Sequence, residues 1–410
     1  MWPFQLVLAI YLLKVAGYWL FTLIRKPKKE QGAATRDLPS VDVVIPMFNE
    51  EEVVVKTIRN LLQVSYERFS IIVVDDGSTD RSFELVKEAF GDHPLVRLVH
   101  QPNGGKSSAL NRGVSLSKSE IVVTIDADTC VKSSAIRNIV PYFRDERVAA
   151  VAGHIKVGNR NNVLTDMQYY EYVAIWDNDR AFSDRVNGIL IVPGALAAYR
   201  RSSVNAVGGF KSEVIAEDTE LTLRLLYHNY VLRNAGHAVA YTEAPDNLRM
   251  FFRQRVRWTT GLTQGLIKHN NRLFAHRNKW LSFLILPYTW LFRVILPFFI
   301  PLVDYYFLFS CLGLQRYEGV AWWGTMILTE GIITLYVLYR HEERVSVFRL
   351  FLLQRMYRHL LFFNYWIIFA KWINGTLFQW RKITRKGTVR LEGELPALRT
   401  ERQSIKNTSI

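Results

Sequence analysis

Ile71-Ile72-Val73-Val74-Asp75-Asp76-Gly77-Ser78 sets four branched apolar residues against two carboxylates, a glycine and a serine. An apolar run without polar alternation predicts a strand buried on both faces, and the Asp-Asp-Gly-Ser ending predicts the turn where it leaves the sheet. Upstream, Val41-Asp42-Val43-Val44-Ile45-Pro46 is a second such run, continued by Met47-Phe48-Asn49-Glu50 as a strand end and turn. Between them Val54, Ile58, Leu61 and Leu62 recur at helical spacing and predict a helix over 51–64. Downstream, helices are expected over 82–90 and 107–117 and strands over 95–100 and 121–125, the last ending at Asp126. This β-α-β-α-β-α-β order predicts an α/β domain opening with a parallel sheet and a Rossmann-like, nucleotide-binding half.

The chain has 410 residues, 49% hydrophobic and 13% aromatic. That suits one soluble domain of roughly 250 residues with several membrane spans. Leu, Phe, Trp and Tyr dominate 280–380, whereas 37–277 has the texture of an ordinary globular protein. Residues 2–24 are apolar apart from a few positions such as Lys14, long enough to cross a ~30 Å hydrocarbon core. Arg25, Lys26, Lys28 and Lys29 follow this segment rather than precede it, so an anchor is expected instead of a cleaved leader, with residue 30 onward in the cytosol. At the other end 294–312 and 321–339 are expected spans, 280–297 is a further crossing or an interfacial segment, and 359–380 is another candidate. Asp304 within the first needs protein or water beside it. If the basic tail is cytosolic, two or four crossings follow the soluble domain.

The net charge of +15 is concentrated beside the apolar segments, with Lys371, Arg381, Lys382, Arg385, Lys386 and Arg390 in or after the last of them. Such placement points to anionic lipid headgroups and not to nucleic acid. Cys130 and Cys311 lie on opposite sides of the soluble and apolar regions; they are not expected to pair and cannot build a cysteine zinc site.

Ligands of such sheets bind beyond the carboxyl ends of the strands. Asn49-Glu50, Asp75-Asp76 and Asp126-Ala127-Asp128 all fall there. One acidic strand end is commonly a cap or turn; three at one edge predict a crevice. Asp126 and Asp128 can offer oxygens to a hard divalent cation, Mg²⁺ or Mn²⁺, which would bridge the phosphates of a nucleotide sugar. Asn103-Gly104-Gly105-Lys106 before a helix is a loop where backbone approaches an anion and a lysine neutralises it, without the spacing of an ATPase loop. Asp218, after a strand-like Val214-Ile215 and before a helix over 219–227, is a carboxylate placed either to take a proton from a hydroxyl or to cap that helix. Gln254-Arg255-Val256-Arg257-Trp258 then precedes the apolar block, where packing or interfacial anchoring is an alternative reading of its cations and indole.

Taken in order, the Asp75-Asp76-Gly-Ser turn, Gly105-Lys106-x-x-Ala109-Leu110-Asn111, Asp126-x-Asp128, Glu217-Asp218 and Gln254-Arg-x-Arg-Trp258 resemble the family 2 glycosyltransferases. Within that family the chain is most similar to the poly-β-1,6-N-acetylglucosamine synthases, with hyaluronan, cellulose and chitin-oligosaccharide synthases as relatives. The resemblance implies a GT-A domain at 38–250, an N-terminal transmembrane anchor at 1–29, an interfacial helix region at 251–279, C-terminal transmembrane helices within 280–380 and a basic cytosolic tail at 381–410. It further implies an inverting, processive hexosyltransferase that adds N-acetylglucosamine from UDP-GlcNAc to a growing extracellular biofilm polysaccharide and aids its export. Asp218 would be the general base. Asp76 would hydrogen-bond the uracil, with Pro46, Glu50 and Asp75 beside it; Lys106 and Asp126 would hold the nucleotide and Asp128 the metal. Glu217, Gln254, Arg255, Arg257 and Trp258 would serve acceptor and diphosphate, the arginines facing the diphosphate and Trp258 stacking on the acceptor sugar. Partners implied are the UDP-sugar, the polysaccharide, the lipid bilayer of a bacterial inner membrane and, where export needs one, a small accessory membrane subunit. Other readings are a non-processive transferase making a glycolipid, a hyaluronan or glucan synthase, and a membrane scaffold whose transferase domain has lost carboxylates. Two departures stand out: Ala216 replaces the family's threonine before Glu217-Asp218, and Val192-Pro193-Gly194-Ala195 lacks polar side chains where relatives contact the acceptor.

Overall fold

The apolar runs become the centre of one eight-stranded sheet. The computed structural model describes residues 39–275, 277–299, 318–340, 347–375 and 387–389, with Ala9, Leu302, 304–307 and Phe309. β1 (Val41–Met47), β2 (Phe69–Asp75), β3 (Val96–His100) and β4 (Ile121–Thr124) pair in parallel, β1 lying between β2 and β4 and β2 beside β3. Helices Val54–Leu61, Ser82–Phe90 and Lys106–Leu116 make the crossovers, within a few residues of their expected bounds. Because the four strands run the same way, Asp75, Asp76 and the 126–128 turn emerge at one edge.

The remaining strands depart from the parallel pattern. β5 (Cys130–Val131), β6 (Val148–Val157), β7 (Ala197–Arg200) and β8 (Val231–Thr242) complete the order β3-β2-β1-β4-β7-β6-β8-β5. β7 is antiparallel to both β4 and β6, so the sheet is mixed. The Rossmann-like α/β expectation holds for the first half, and the second half adds strands whose direction no local apolar run encodes. Val214-Ile215 is a bend and not a strand; the helix there runs Glu217–Tyr227, two residues longer at its start than expected.

Two apolar clusters cover the two sheet faces, one holding Val43, Ile45, Ile71 and Val73, the other Val44, Ile72, Val74 and Val122. On the second face a Cβ at Gly113 would lie 2.2 Å from a Val44 methyl. Helix Lys106–Leu116 therefore approaches β1 more closely than any side chain at 113 allows, which brings Lys106 over the strand ends.

Among the described residues, one helical run, Leu281–Phe298, is long and apolar enough to cross a membrane, with a mean hydropathy of 1.6 and a third of it buried. The expected span at 294–312 straddles its end, because Pro297 falls in the closing 3-10 turn; most of 300–312, including Cys311, lies outside the described residues. Glu318–Arg340 and Val347–Ile373 are helical but carry charges, among them Glu330, Arg355 and Arg358, which meet Asp304 in one cluster. The protein beside Asp304 thus supplies the partners its sequence position demands. The anchor at 1–29, apart from Ala9, and the tail at 381–410, apart from 387–389, lie outside the described residues. Those three tail residues dock on the soluble domain: the Thr388 N–H donates to Glu243 (3.3 Å), and Val389 packs with Cys130, Val239 and Tyr241. Cys130 is a buried free thiol.

Candidate active site

The ends of β1, β2 and β3 are tied together by side chains that close the turns. Asp75, fully buried, accepts from the Ser78 N–H (3.2 Å) and lies 2.6 Å from His100 Nδ1 at the end of β3. Asp76 accepts from Gln101 Nε2 (2.7 Å) and from the Gly104 and Gly105 N–H groups (3.0 and 2.8 Å), so its carboxylate organises the loop before Lys106. Glu50 and its neighbour Asn49 are pinned to the opposite turn, their N–H groups donating to Ser82 Oγ (2.7 Å) and Ser78 Oγ (3.0 Å). Pro46 sits in register with Val74, one residue before β1 ends. Thr57 donates to the Ala127 carbonyl (2.7 Å) and fixes the turn carrying Asp126 and Asp128.

Lys106 is where distant segments converge. Its ammonium lies 2.6 Å from Asp126 and 3.0 Å from Glu217, and both Lys106 and Asp126 keep about a third of their side chains exposed (34% and 32%). Asp218 follows Glu217 in the first turn of its helix, where the helix dipole favours negative charge. The Asp218 carboxylate accepts from the N–H groups of Thr219 (2.7 Å) and Gly194 (3.3 Å). A Cβ at Gly194 would lie 3.2 Å from Lys106 Nζ and within 4.0 Å of both Asp126 and Asp218. The sequence marked the Val192–Ala195 run only for its lack of polar side chains; at Gly194 it contributes a backbone donor and open space instead of a side chain.

Burial, then the adjacent Glu217 charge, pushes the Asp218 carboxyl up to about 6, against the pull of Lys106 and the two N–H donors. Burial works against the Lys106 charge, but Asp126 and Glu217 outweigh it and hold the ammonium protonated well above the usual lysine range. A carboxylate tuned close to neutrality beside an anchored cation suits proton abstraction.

Helix Glu217–Tyr227 is held against helix Leu248–Lys268. Glu220, fully buried, takes Arg224 Nε (2.7 Å) and Lys268 Nζ (2.9 Å), and the Ile215 N–H donates to Gln264 (3.1 Å). A Cβ at Gly261 would lie 2.4 Å from Ala216 Cβ, so the helix and the 216 turn touch through two small residues. The alanine in place of threonine sits at this close contact.

Gln254, Arg255, Arg257 and Trp258 lie on that same helix. Gln254 is buried, Arg257 and Trp258 half-buried. Arg255 is buried and donates to Glu171 (3.1 Å), and Tyr357 donates to the same carboxylate (2.6 Å). The geometry thus gives Arg255 a partner different from the diphosphate the resemblance implies. Glu171 opens a π-helical turn, Glu171–Asp177, and a lone acid there carries no sequence signal. Arg257 has no hydrogen-bond or ion-pair partner among the described residues, and its Nε is buried.

Asp126 and Asp128 fit a metal only in part. Asp128 is buried and takes Thr129 Oγ1 (3.2 Å), and Asp126 is engaged by Lys106. No group of three His, Cys, Asp or Glu that could hold a metal occurs among the described residues. Two carboxylates one residue apart suit a hard divalent ion that draws its other ligands from phosphate and water.

Residues 42–208 match the family model described as Glycosyl transferase family 2. The probable glycosyltransferase YdaM of Bacillus subtilis is 32% identical over 256 residues, 60% of this chain and 61% of that protein. A poly-beta-1,6-N-acetyl-D-glucosamine synthase of Staphylococcus aureus is 25% identical over 268 residues, 65% of each. The matched region thus spans less than two thirds of these relatives. A solved mannosyltransferase from Pyrobaculum calidifontis, in complex with GDP-Man and Mn²⁺, superposes with a TM-score of 0.61 at 21% identity, over 88% of this chain and 99% of its own; this shows the shared GT-A fold.

Proposed function

We propose that this chain, whose residues 42–208 match the family 2 glycosyltransferase model, is a membrane-held, inverting β-glycosyltransferase that moves N-acetylglucosamine from UDP-GlcNAc onto a growing polysaccharide. The observation that carries this reading is the meeting of Lys106, Asp126, Glu217 and Asp218 with the Gly194 N–H at the carboxyl edge of the sheet. Asp218 takes the proton of the acceptor hydroxyl as that oxygen attacks the anomeric carbon opposite the diphosphate. A sugar hydroxyl is a weak nucleophile, and a placed carboxylate with a pKa near the working pH removes its proton in the transition state.

Lys106 and Asp126 position the donor, and Asp76, Asp75, Glu50 and Pro46 frame its base. Asp128, with Asp126, would hold Mg²⁺ or Mn²⁺, which supplies positive charge to the departing diphosphate when bound. Arg257, lacking a protein partner among the described residues, is the motif cation left for the diphosphate. Trp258 stacks on the acceptor sugar, one helical turn before the Gly261 contact with Ala216. Similarity to the poly-N-acetylglucosamine synthase favours the hexosamine donor and a chain product. The mannosyltransferase that shares the fold was solved with GDP-Man and Mn²⁺, which favours a nucleotide-sugar donor and a divalent metal of that class. We place the domain at 38–250 on the cytosolic side of a bacterial inner membrane, with an anchor at 1–29, spans within 280–380 that aid export and a basic tail at 381–410.

Radiolabel incorporation by the purified chain in lipid tests this, with UDP-N-acetylglucosamine, UDP-glucose and UDP-glucuronate offered separately with Mg²⁺ or Mn²⁺. A long polymer from the first donor alone is the expected product; a single-sugar glycolipid would move the assignment to a lipid transferase.

A further inference from the structure

Arg255 is 4% exposed and surrounded by aromatic rings: its guanidinium lies 4.6 Å from the Trp258 ring centre and 5.2 Å from those of Trp176 and Phe251. Its charge is met by Glu171, 2.8 Å away at the closest, and Glu171 also accepts from Tyr357 and from Trp176. Trp176 stacks on Tyr172 (4.2 Å between ring centres) and meets Trp258 edge-on (5.1 Å). One carboxylate and one guanidinium balance, and the cation is spent inside the box instead of facing the crevice. Trp258, three residues on from Arg255, shares its helix face and is only partly buried. A planar cation over one face of an indole fixes the plane of the ring, and Arg is the side chain suited to that stacking.

We propose that Glu171 and Arg255 are positioning residues for Trp258, holding the indole for acceptor stacking and tying its setting to Tyr357 on the C-terminal helix Val347–Ile373. This deepens the glycosyltransferase reading and rests on it. Through Tyr357, the helix that follows the apolar block and the sugar platform of the soluble domain share one buried carboxylate. Displacement of either alters the other.

Calorimetric titration of the full chain in lipid nanodiscs tests this, with UDP-N-acetylglucosamine and a β-1,6-linked N-acetylglucosamine tetramer titrated separately. Arg255→Lys keeps the charge and loses the planar stack; it is expected to weaken tetramer binding about tenfold while leaving nucleotide-sugar affinity unchanged. Tyr357→Phe removes only a hydroxyl and so retains the fold if Arg255→Lys does not; a weaker effect in the same direction is expected. Nucleotide-sugar affinity falling in Arg255→Lys would make Arg255 a diphosphate ligand and overturn the proposal. Unchanged tetramer binding in both variants, or none in the wild type, would overturn it as well. A wild type that binds the tetramer but no nucleotide sugar would instead fail the donor reading, and the tetramer arm would still decide the roles of Glu171 and Arg255.

Discussion

Two charged clusters face different fates in this molecule. Around Lys106, three carboxylates (Asp126, Glu217 and Asp218) gather on one ammonium, partly open to solvent. Around Arg255, one carboxylate meets one guanidinium and aromatic rings close over both. The first is unbalanced and keeps a carboxyl poised near neutrality, a state that a ligand or a proton completes. The second is balanced and complete without a ligand, and its function is to hold geometry. Charge balance and access to water, rather than burial alone, separate a cluster suited to reaction from one suited to positioning.

The largest expected effect breaks the open cluster. Asp218→Asn keeps the shape and removes the proposed base, so sugar incorporation should fall about 10²- to 10⁴-fold while circular dichroism stays that of the wild type. In the closed cluster the same kind of change should act on stability: Glu171→Gln leaves the Arg255 charge buried without its partner and should lower unfolding free energy by about 3 kcal/mol in denaturant titration. Unchanged stability would mean that the ring box tolerates a lone cation, and the comparison would lose its basis.

The pH dependence sharpens the contrast. On the proposed function Asp218 works as a carboxylate, and its folded pKa is about 6, so the transfer rate should fall about tenfold per pH unit below that value and level off above it. Glu217→Gln removes the like charge that raises Asp218 and should move this acid limb to lower pH, read from rate–pH profiles. The smallest effect is expected from Gly194→Ala. Its Cβ would press on the end of the flexible Lys106 side chain, 3.2 Å away, and the N–H to Asp218 would persist. A loss of about fivefold in rate is expected from a displaced lysine, of the size of one hydrogen bond; no loss would show that Lys106 moves aside freely.

Much of the first half was legible in the sequence. Ile71–Val74 and Val41–Ile45 had to be buried on both faces, the helices between them followed from periodicity, and parallel pairing then put Asp75, Asp76 and Asp126 on one edge. The second half was less so: β7 is four residues long, Ala197–Arg200, and its antiparallel place between β4 and β6 depends on neighbours distant in sequence. Val214-Ile215 has the branched side chains of a strand, yet no partner strand among the described residues reaches it.

The sequence by itself determined the α/β class, the order of acidic turns and the resemblance to the family 2 glycosyltransferases, because backbone periodicity and motif spacing are local properties of the chain. Only the tertiary structure decided which charges are shared. Glu171 finds Arg255 across 84 residues and Tyr357 across 186, and the Gly194 N–H finds Asp218 across 24. A hydrogen bond depends on ångström placement after the sheet and helices have packed, and neither residue type nor spacing encodes that placement.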